Sequence, residues 1–321
     1  MSVDQSPRKT PLNRRYRAAL ALTQFLGRIH VMPSTEKVGT IPIAKRLAMK
    51  PAGWLLLPPT GSPRVADRVV AGRHGDVPVR VYLPEDGPVA PVAVLYVHGG
   101  GFTVGGLDSL DWFCRELAVR GGHAVVSVQY RLAPDFRYPV PLDDVSDALA
   151  WLAAHLDEFG ATEIAVAGDS AGGNLAAGAV IRAVRDGGPA IRNQILIYPA
   201  LDATLSAPSM SDDAVGLGRA DIEASYANYL GGQDRTIPEV SPLLASAKAG
   251  LPETLVLTAD HDLLRDEGRL YAESLAAAGV PARAVEYPGA DHGFLSVPSL
   301  SKDASLAAMA EVLGALRAPS T

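Results

Sequence analysis

Ile164-Ala165-Val166-Ala167-Gly168-Asp169-Ser170-Ala171-Gly172-Gly173-Asn174 is the stretch on which the reading of this chain turns. Ile164 to Ala167 has the length and unbroken apolarity of a strand covered on both faces, and Asn174 to Val184 is Ala-rich and helical. Between them lies Gly-x-Ser-x-Gly. A serine displayed on so tight a strand-to-helix turn needs strained backbone, so the residues two positions away on either side must be nearly without side chains. Gly168 and Gly172 meet that demand. The helix that follows aims its first N–H groups at the serine, which makes Ser170 a candidate nucleophile and Ala171 N–H a candidate donor to an oxyanion.

Working outward, strand and helix alternate. Val65 to Ala71 and Val77 to Leu83 read as an antiparallel hairpin turned at Gly75-Asp76. Val92 to Val97, Ala124 to Val128, Ile195 to Tyr198, Thr254 to Thr258 and Arg283 to Tyr287 are further strand-length runs. Helical periods stand out at Val145, Leu149, Leu152 and Leu156, and at Leu306, Met309, Leu313 and Leu316. Such alternation predicts an α/β fold, with a mostly parallel central sheet flanked by helices. It breaks once, where roughly fifty residues between Pro199 and Leu255, helical around Ile222 to Tyr229, replace a single crossover; inserts of that length commonly act as lids.

His98-Gly99-Gly100-Gly101 directly follows the strand Val92 to Val97. Three glycines in a row carry an entropic cost, which implies close approach of main chain to a ligand. No phosphate-loop pattern occurs, so their N–H groups are read as oxyanion donors opposite Ala171. A serine nucleophile also needs a base and a carboxylate to orient it. Of seven histidines, His292 lies in a loop after a strand, while His261 is its main rival. Asp260, Asp262 and Asp266 all follow the strand Thr254 to Thr258, and local reading leaves the choice among them open.

The rest of the composition narrows the field. Of 321 residues, 48% are hydrophobic and 20% charged, enough for a large core. A net charge of −6 argues against binding nucleic acid through the overall field. Residues 1 to 50 hold ten Lys or Arg against Asp4 and Glu36, a local +8 that leaves −14 for the other 271 residues. That arm reads as amphipathic helices packed on the core over the mouth of the site, so deleting residues 1 to 40 should alter acyl preference or stability more than the chemistry at Ser170. The single cysteine, Cys114, cannot form an internal disulfide and no zinc-ligand spacing appears, so no metal or cofactor is expected. No apolar run approaches the ~20 residues of a membrane span and no leader pattern stands out, which reads as a cytoplasmic protein without an integral membrane segment.

Taken together these motifs resemble the hormone-sensitive-lipase-like (bacterial family IV) esterases of the α/β-hydrolase superfamily. The resemblance is carried, in order, by His98-Gly99-Gly100-Gly101, Tyr130-Arg131-Leu132-Ala133-Pro134, Gly168-Asp169-Ser170-Ala171-Gly172-Gly173-Asn174, Tyr198-Pro199, Asp262-Leu263-Leu264-Arg265-Asp266-Glu267-Gly268 and His292-Gly293-Phe294. It implies an α/β-hydrolase fold with a helical cap, the cap built from residues 1–50 and 203–240 and the core from 51–202 and 241–321. It implies Ser170 as nucleophile, His292 as base and Asp262 as acid, with Gly100, Gly101 and Ala171 as backbone oxyanion donors and His98, Gly99, Gly168, Asp169 and Gly172 in support. Leu263 stands where the family usually has proline, and Asp135 where it usually has glutamate. The implied activity is hydrolysis of short-to-medium acyl esters of small molecules through an acyl-enzyme, without a cofactor, by a possible homodimer. An amidase, thioesterase or lactonase would use the same machinery, and a non-catalytic ligand receptor would not need His292.

Overall fold

The computed structural model describes residues 60–87, 89–212 and 216–317. The basic arm at residues 1–50 therefore lies outside the described residues. Among the described residues, eight strands form one sheet: β1 (Arg64–Val70), β2 (Val77–Leu83), β3 (Val92–Val97), β4 (Val125–Val128), β5 (Glu163–Asp169), β6 (Asn193–Ile197), β7 (Glu253–Ala259) and β8 (Ala282–Tyr287). The helices are α1 (Asp111–Gly121), α2 (Val140–Ala154), α3 (Ala171–Asp186), α4 (Arg219–Leu230), α5 (Arg265–Ala277) and α6 (Lys302–Arg317). The spatial order is β1-β2-β4-β3-β5-β6-β7-β8; β2 runs antiparallel to both β1 and β4, and every later pairing is parallel.

Strand β3 shows why the apolar runs are unbroken. Ala93, Leu95 and Val97 face the layer that holds Leu142 and Val145 of α2, Leu175 and Val180 of α3, and Leu275 of α5. Val92, Val94 and Tyr96 face the opposite layer, with Phe113 and Leu117 of α1 and Met309, Val312 and Leu316 of α6. A strand sandwiched between two helical layers has no solvent face, so period-two alternation disappears from its sequence. The hairpin keeps the alternation, because β1 is an edge strand with Val65 and Val69 exposed. Gly75 makes its turn at φ 102°.

Two boundaries differ from the sequence expectation. Helix α3 begins at Ala171 rather than Asn174, because the two glycines at its start are held by packing rather than by their own propensity. Helix α2 ends at Ala154, so Leu156 belongs to the turn beyond it. The interval between β6 and β7 carries one long helix, α4, whose start is held by Asp221 accepting the Gly218 N–H at 3.0 Å. Its end is Gly231 at φ 60°, where a Cβ would run into the Arg137 side chain.

Candidate active site

The loops that follow β3, β5, β6, β7 and β8 leave neighbouring parallel strands at the same end of the sheet, since Val97 pairs with Gly168, Asp169 with Ile197 and Ala259 with Tyr287. The candidate catalytic and oxyanion residues lie on these loops or at the strand and helix ends that they join, and Tyr130 to Pro134 follows β4. Ser170 has φ 54° and ψ −121°, a region that costs a non-glycine residue on the order of 1–3 kcal/mol. The turn is held by Ser170 N–H donating to Ile197 O at 2.9 Å and Ala200 N–H donating to Ser170 O at 3.2 Å. Both flanking glycines are required by contact. A Cβ on Gly168 would overlap the Gly172 carbonyl, and one on Gly172 would overlap the carbonyls of Val97 and His98.

Ser170 Oγ lies 2.8 Å from His292 Nε2, and His292 Nδ1 lies 2.8 Å from Asp262 Oδ2. Asp262 is almost fully buried, and its other oxygen accepts the Leu264 N–H at 2.9 Å. A carboxylate at Nδ1 fixes the proton there and leaves the Nε2 lone pair toward the serine hydroxyl. Burial presses the imidazole toward its neutral form, but the Asp262 carboxylate outweighs it and raises the His292 pKa above the ordinary 6.5. The other two aspartates go elsewhere. Asp260 contacts His261 Nε2 at 3.1 Å and accepts the Gly289 N–H at 3.1 Å, while Asp266 pairs with Arg265 at 3.1 Å. His261 faces Asp260 rather than Ser170, although its N–H donates to Ala290 O at 3.0 Å and so steadies the loop that bears His292. Tyr198 packs edge-on against the His292 ring, with centroids 5.0 Å apart.

The glycine loop is pinned from three directions. Gly99 N–H donates to Asp169 Oδ1 at 2.8 Å, and Tyr130 O–H donates to His98 O at 2.9 Å. The His98 ring stacks on Tyr130 at 4.3 Å; burial lowers its pKa to about 4, so it is neutral near pH 7. Helix α4 closes the third side. Phe102 stacks on Tyr229 at 4.1 Å and leans on Tyr226 at 5.6 Å, and a Cβ on Gly101 would come within 2.6 Å of Ser225 Oγ. Gly100 and Gly101 have φ of 121° and 57°. Among the described residues, the N–H groups of Gly100, Gly101 and Ala171 donate to no backbone or side-chain acceptor. An activated serine beside such unspent donors is equipped to add to a carbonyl carbon.

A profile for the family described as the alpha/beta hydrolase fold matches residues 94–296, which contain all of these loops. The chain belongs to the α/β-hydrolases. Among curated members of this family, it is 44% identical over 248 residues to a carboxylesterase, NlhH, of Mycobacterium tuberculosis, covering 73% of this chain and 76% of the relative. It is 39% identical over 250 residues to an ethyl acetate hydrolase of Pseudomonas putida, covering 75% and 78%. A hyperthermophilic esterase from the archaeon Pyrobaculum calidifontis superposes with a TM-score of 0.82 at 36% identity, over 96% of this chain and 98% of that one. These likenesses place this α/β-hydrolase in the hormone-sensitive-lipase-like branch that its motifs resemble.

Two contributors to the site of this α/β-hydrolase were given no role by sequence reasoning. Tyr96 donates its O–H to Asp169 Oδ1 at 2.6 Å; its signal was a lone hydroxyl-bearing ring in an otherwise aliphatic strand. Glu267 is fully buried and accepts the N–H groups of Leu201 and Asp202 at 2.5 and 2.9 Å, clamping the loop after β6. It carried no separate signal, since a glutamate near a helix start reads equally as a dipole partner. Among the described residues no helix is long and apolar enough to cross a membrane, and no three His, Cys, Asp or Glu side chains are grouped to hold a metal ion.

Proposed function

We propose that this protein is a serine carboxylesterase that hydrolyses short-to-medium acyl esters of small molecules, with Ser170 as nucleophile, His292 as base and Asp262 as orienting acid. The observation that carries the reading is the Ser170–His292–Asp262 relay, with 2.8 Å at each link. Ser170 Oγ adds to the ester carbonyl while its proton passes to His292 Nε2. The carbonyl oxygen takes the negative charge and accepts from the N–H groups of Gly100, Gly101 and Ala171. Collapse of the adduct expels the alcohol, which leaves with the proton from His292, and Ser170 remains acylated. Water then adds, gives its proton to His292, and the second collapse releases the acid and restores Ser170. Each donor contributes about 3–4 kcal/mol to lowering the barrier.

Preference for small acyl groups is supported by the names of the relatives, a carboxylesterase and an ethyl acetate hydrolase. The cap is assigned to residues 1–50 and 203–240, over a core of 51–202 and 241–321. Support comes from the second piece, where α4 packs on the glycine loop through Ser225 and Tyr229. A cytoplasmic location is supported by a single cysteine, Cys114, that is buried and free. The family resemblance also implies a homodimer, which sedimentation equilibrium measures. The deciding experiment pairs Ser170→Ala with the wild type on p-nitrophenyl esters of increasing acyl length. Loss of turnover together with loss of labelling by a fluorophosphonate is expected, and a variant that keeps the wild-type rate overturns the assignment.

A further inference from the structure

One carboxylate beside the nucleophile takes no part in the relay. Asp169 precedes Ser170 directly, is 6% exposed, and receives two hydrogen bonds on the same oxygen, from Tyr96 O–H at 2.6 Å and Gly99 N–H at 2.8 Å. It therefore bridges the end of β5 to the loop after β3. The contact is close enough to dictate sequence on the other side, since a Cβ on Gly99 would fall on the Asp169 carboxylate. By consuming the Gly99 N–H, it leaves the next two amides, Gly100 and Gly101, as the loop's unspent donors.

We propose that Asp169 is a positioning residue, which fixes the oxyanion loop relative to Ser170 and whose charge acts on the His292 imidazole. The proposal rests on the serine esterase reading above. The geometric half follows from rigidity, since donors stabilise a developing oxyanion only when they are held in place before it forms. Without the acceptor at Asp169, Gly99 has a free amide and two glycines after it, and the loop has many conformations to choose from. The electrostatic half follows from placement. Asp169 adjoins Ser170, whose Oγ lies 2.8 Å from His292 Nε2, and the imidazole also faces the carboxylates of Asp262 and Asp291. Of the groups near Asp169, which are Tyr96 on β3, Cys114 on α1, Tyr130 after β4, Tyr198 after β6 and His292 after β8, His292 is the one that takes up a proton in the reaction. An anion there favours the imidazolium.

The test compares full-length wild type, Asp169→Ala, Asp169→Asn and Ser170→Ala on p-nitrophenyl butyrate between about pH 5 and 9. Affinity for a trifluoromethyl ketone, whose adduct with a serine carries an oxyanion, is measured alongside. Asp169→Ala is expected to lower kcat roughly 100-fold with KM within about threefold, and to weaken the ketone by a similar factor. Asp169→Asn keeps an acceptor for Gly99 and Tyr96, so it is expected to return kcat to within about tenfold of wild type. Having lost the charge, it should also move the acid limb of the profile to lower pH, an effect that a purely structural role would not produce. Wild-type kcat in Asp169→Ala, or an acid limb in Asp169→Asn that stays where the wild type has it, overturns the proposal. If the alanine variant does not fold, the acid limb of the asparagine variant decides alone. Turnover by Ser170→Ala would instead sink the serine reading, whereas an inactive Ser170→Ala beside an unaffected Asp169→Ala sinks only this inference.

Discussion

Asp169→Asn should make the fold more stable at neutral pH, by an amount the structure sets. Burial raises the Asp169 pKa from an ordinary 3.8 to about 6, against the pull of Tyr96, Gly99 and His292 toward the ionised form. A carboxyl whose folded pKa is raised contributes stability that is fully present below 3.8 and lost as pH rises through about 6. The difference, about 6 minus 3.8, multiplied by about 1.4 kcal/mol per pH unit, makes the ionised carboxylate about 3 kcal/mol costlier to the fold than its protonated form. Asparagine keeps the acceptor and does not titrate. The free energy of unfolding of Asp169→Asn, minus that of wild type, should therefore grow by about 2.5 kcal/mol between pH 4 and pH 8, most of it below about pH 7. Urea unfolding of both proteins at the two pH values measures it, and the comparison cancels every group that titrates alike in the two. A difference of the same size at both pH values would refute the reasoning, because it would mean that Asp169 is no costlier when ionised. An increase in stability with a loss of catalytic performance is what a strained, functionally placed charge predicts.

Three further outcomes follow from the same geometry. Since Asp262 holds the His292 pKa above 6.5, kcat/KM should fall as pH drops through that raised value; Asp262→Asn should cost on the order of 10³–10⁴ in kcat, and Asp260→Asn, which touches the site through Gly289 N–H, far less. Steady-state kinetics on the two variants settles the order, and a larger loss in Asp260→Asn would reverse the assignment. Gly100→Ala places a side chain at φ 121° against the Val104 carbonyl, so a kcat loss of roughly 10²–10³ with circular dichroism unchanged is expected. Phe102→Ala removes a fully buried ring from the stack on Tyr229 and should cost about 3–5 kcal/mol in thermal or urea unfolding; Tyr229→Phe keeps the ring and discards a buried hydroxyl that has no partner among the described residues, so it should be neutral or slightly stabilising.

Much of the site was legible because its demands are local. Gly168 and Gly172 stand two positions from Ser170 on either side, and the contacts that forbid a Cβ there are made by the turn itself and the strand next to it. The strand-like runs were equally clear, since β3, β5, β6 and β7 are covered on both faces and have no polar alternation to confuse them. The acid was legible only through the family resemblance, which pointed to Asp262, and not from the local pattern. Asp260, Asp262 and Asp266 lie within seven residues of chain at the end of one strand, and their local patterns are equivalent. Which one meets His292 depends on where the turn after β7 points each side chain, and that turn is fixed by Asp260 bonding the Gly289 amide and Arg265 pairing with Asp266.

Local residue patterns suffice for an α/β sheet, a serine on a sharp turn, a triple-glycine loop and a histidine at a strand end, because each depends on steric limits or periodicity within a few residues. Tertiary structure alone decided the strand order β1-β2-β4-β3-β5-β6-β7-β8, which puts residues as distant as Gly99, Ser170 and His292 at one edge. It also decided that Asp169 and Tyr96 meet over Gly99, and that Phe102 is held by Tyr229 of the insert. Such contacts join residues on average far apart in the chain, and no local propensity carries information about which distant partner will fill a given space. Packing chooses the partner, by matching shape and by satisfying each buried polar group.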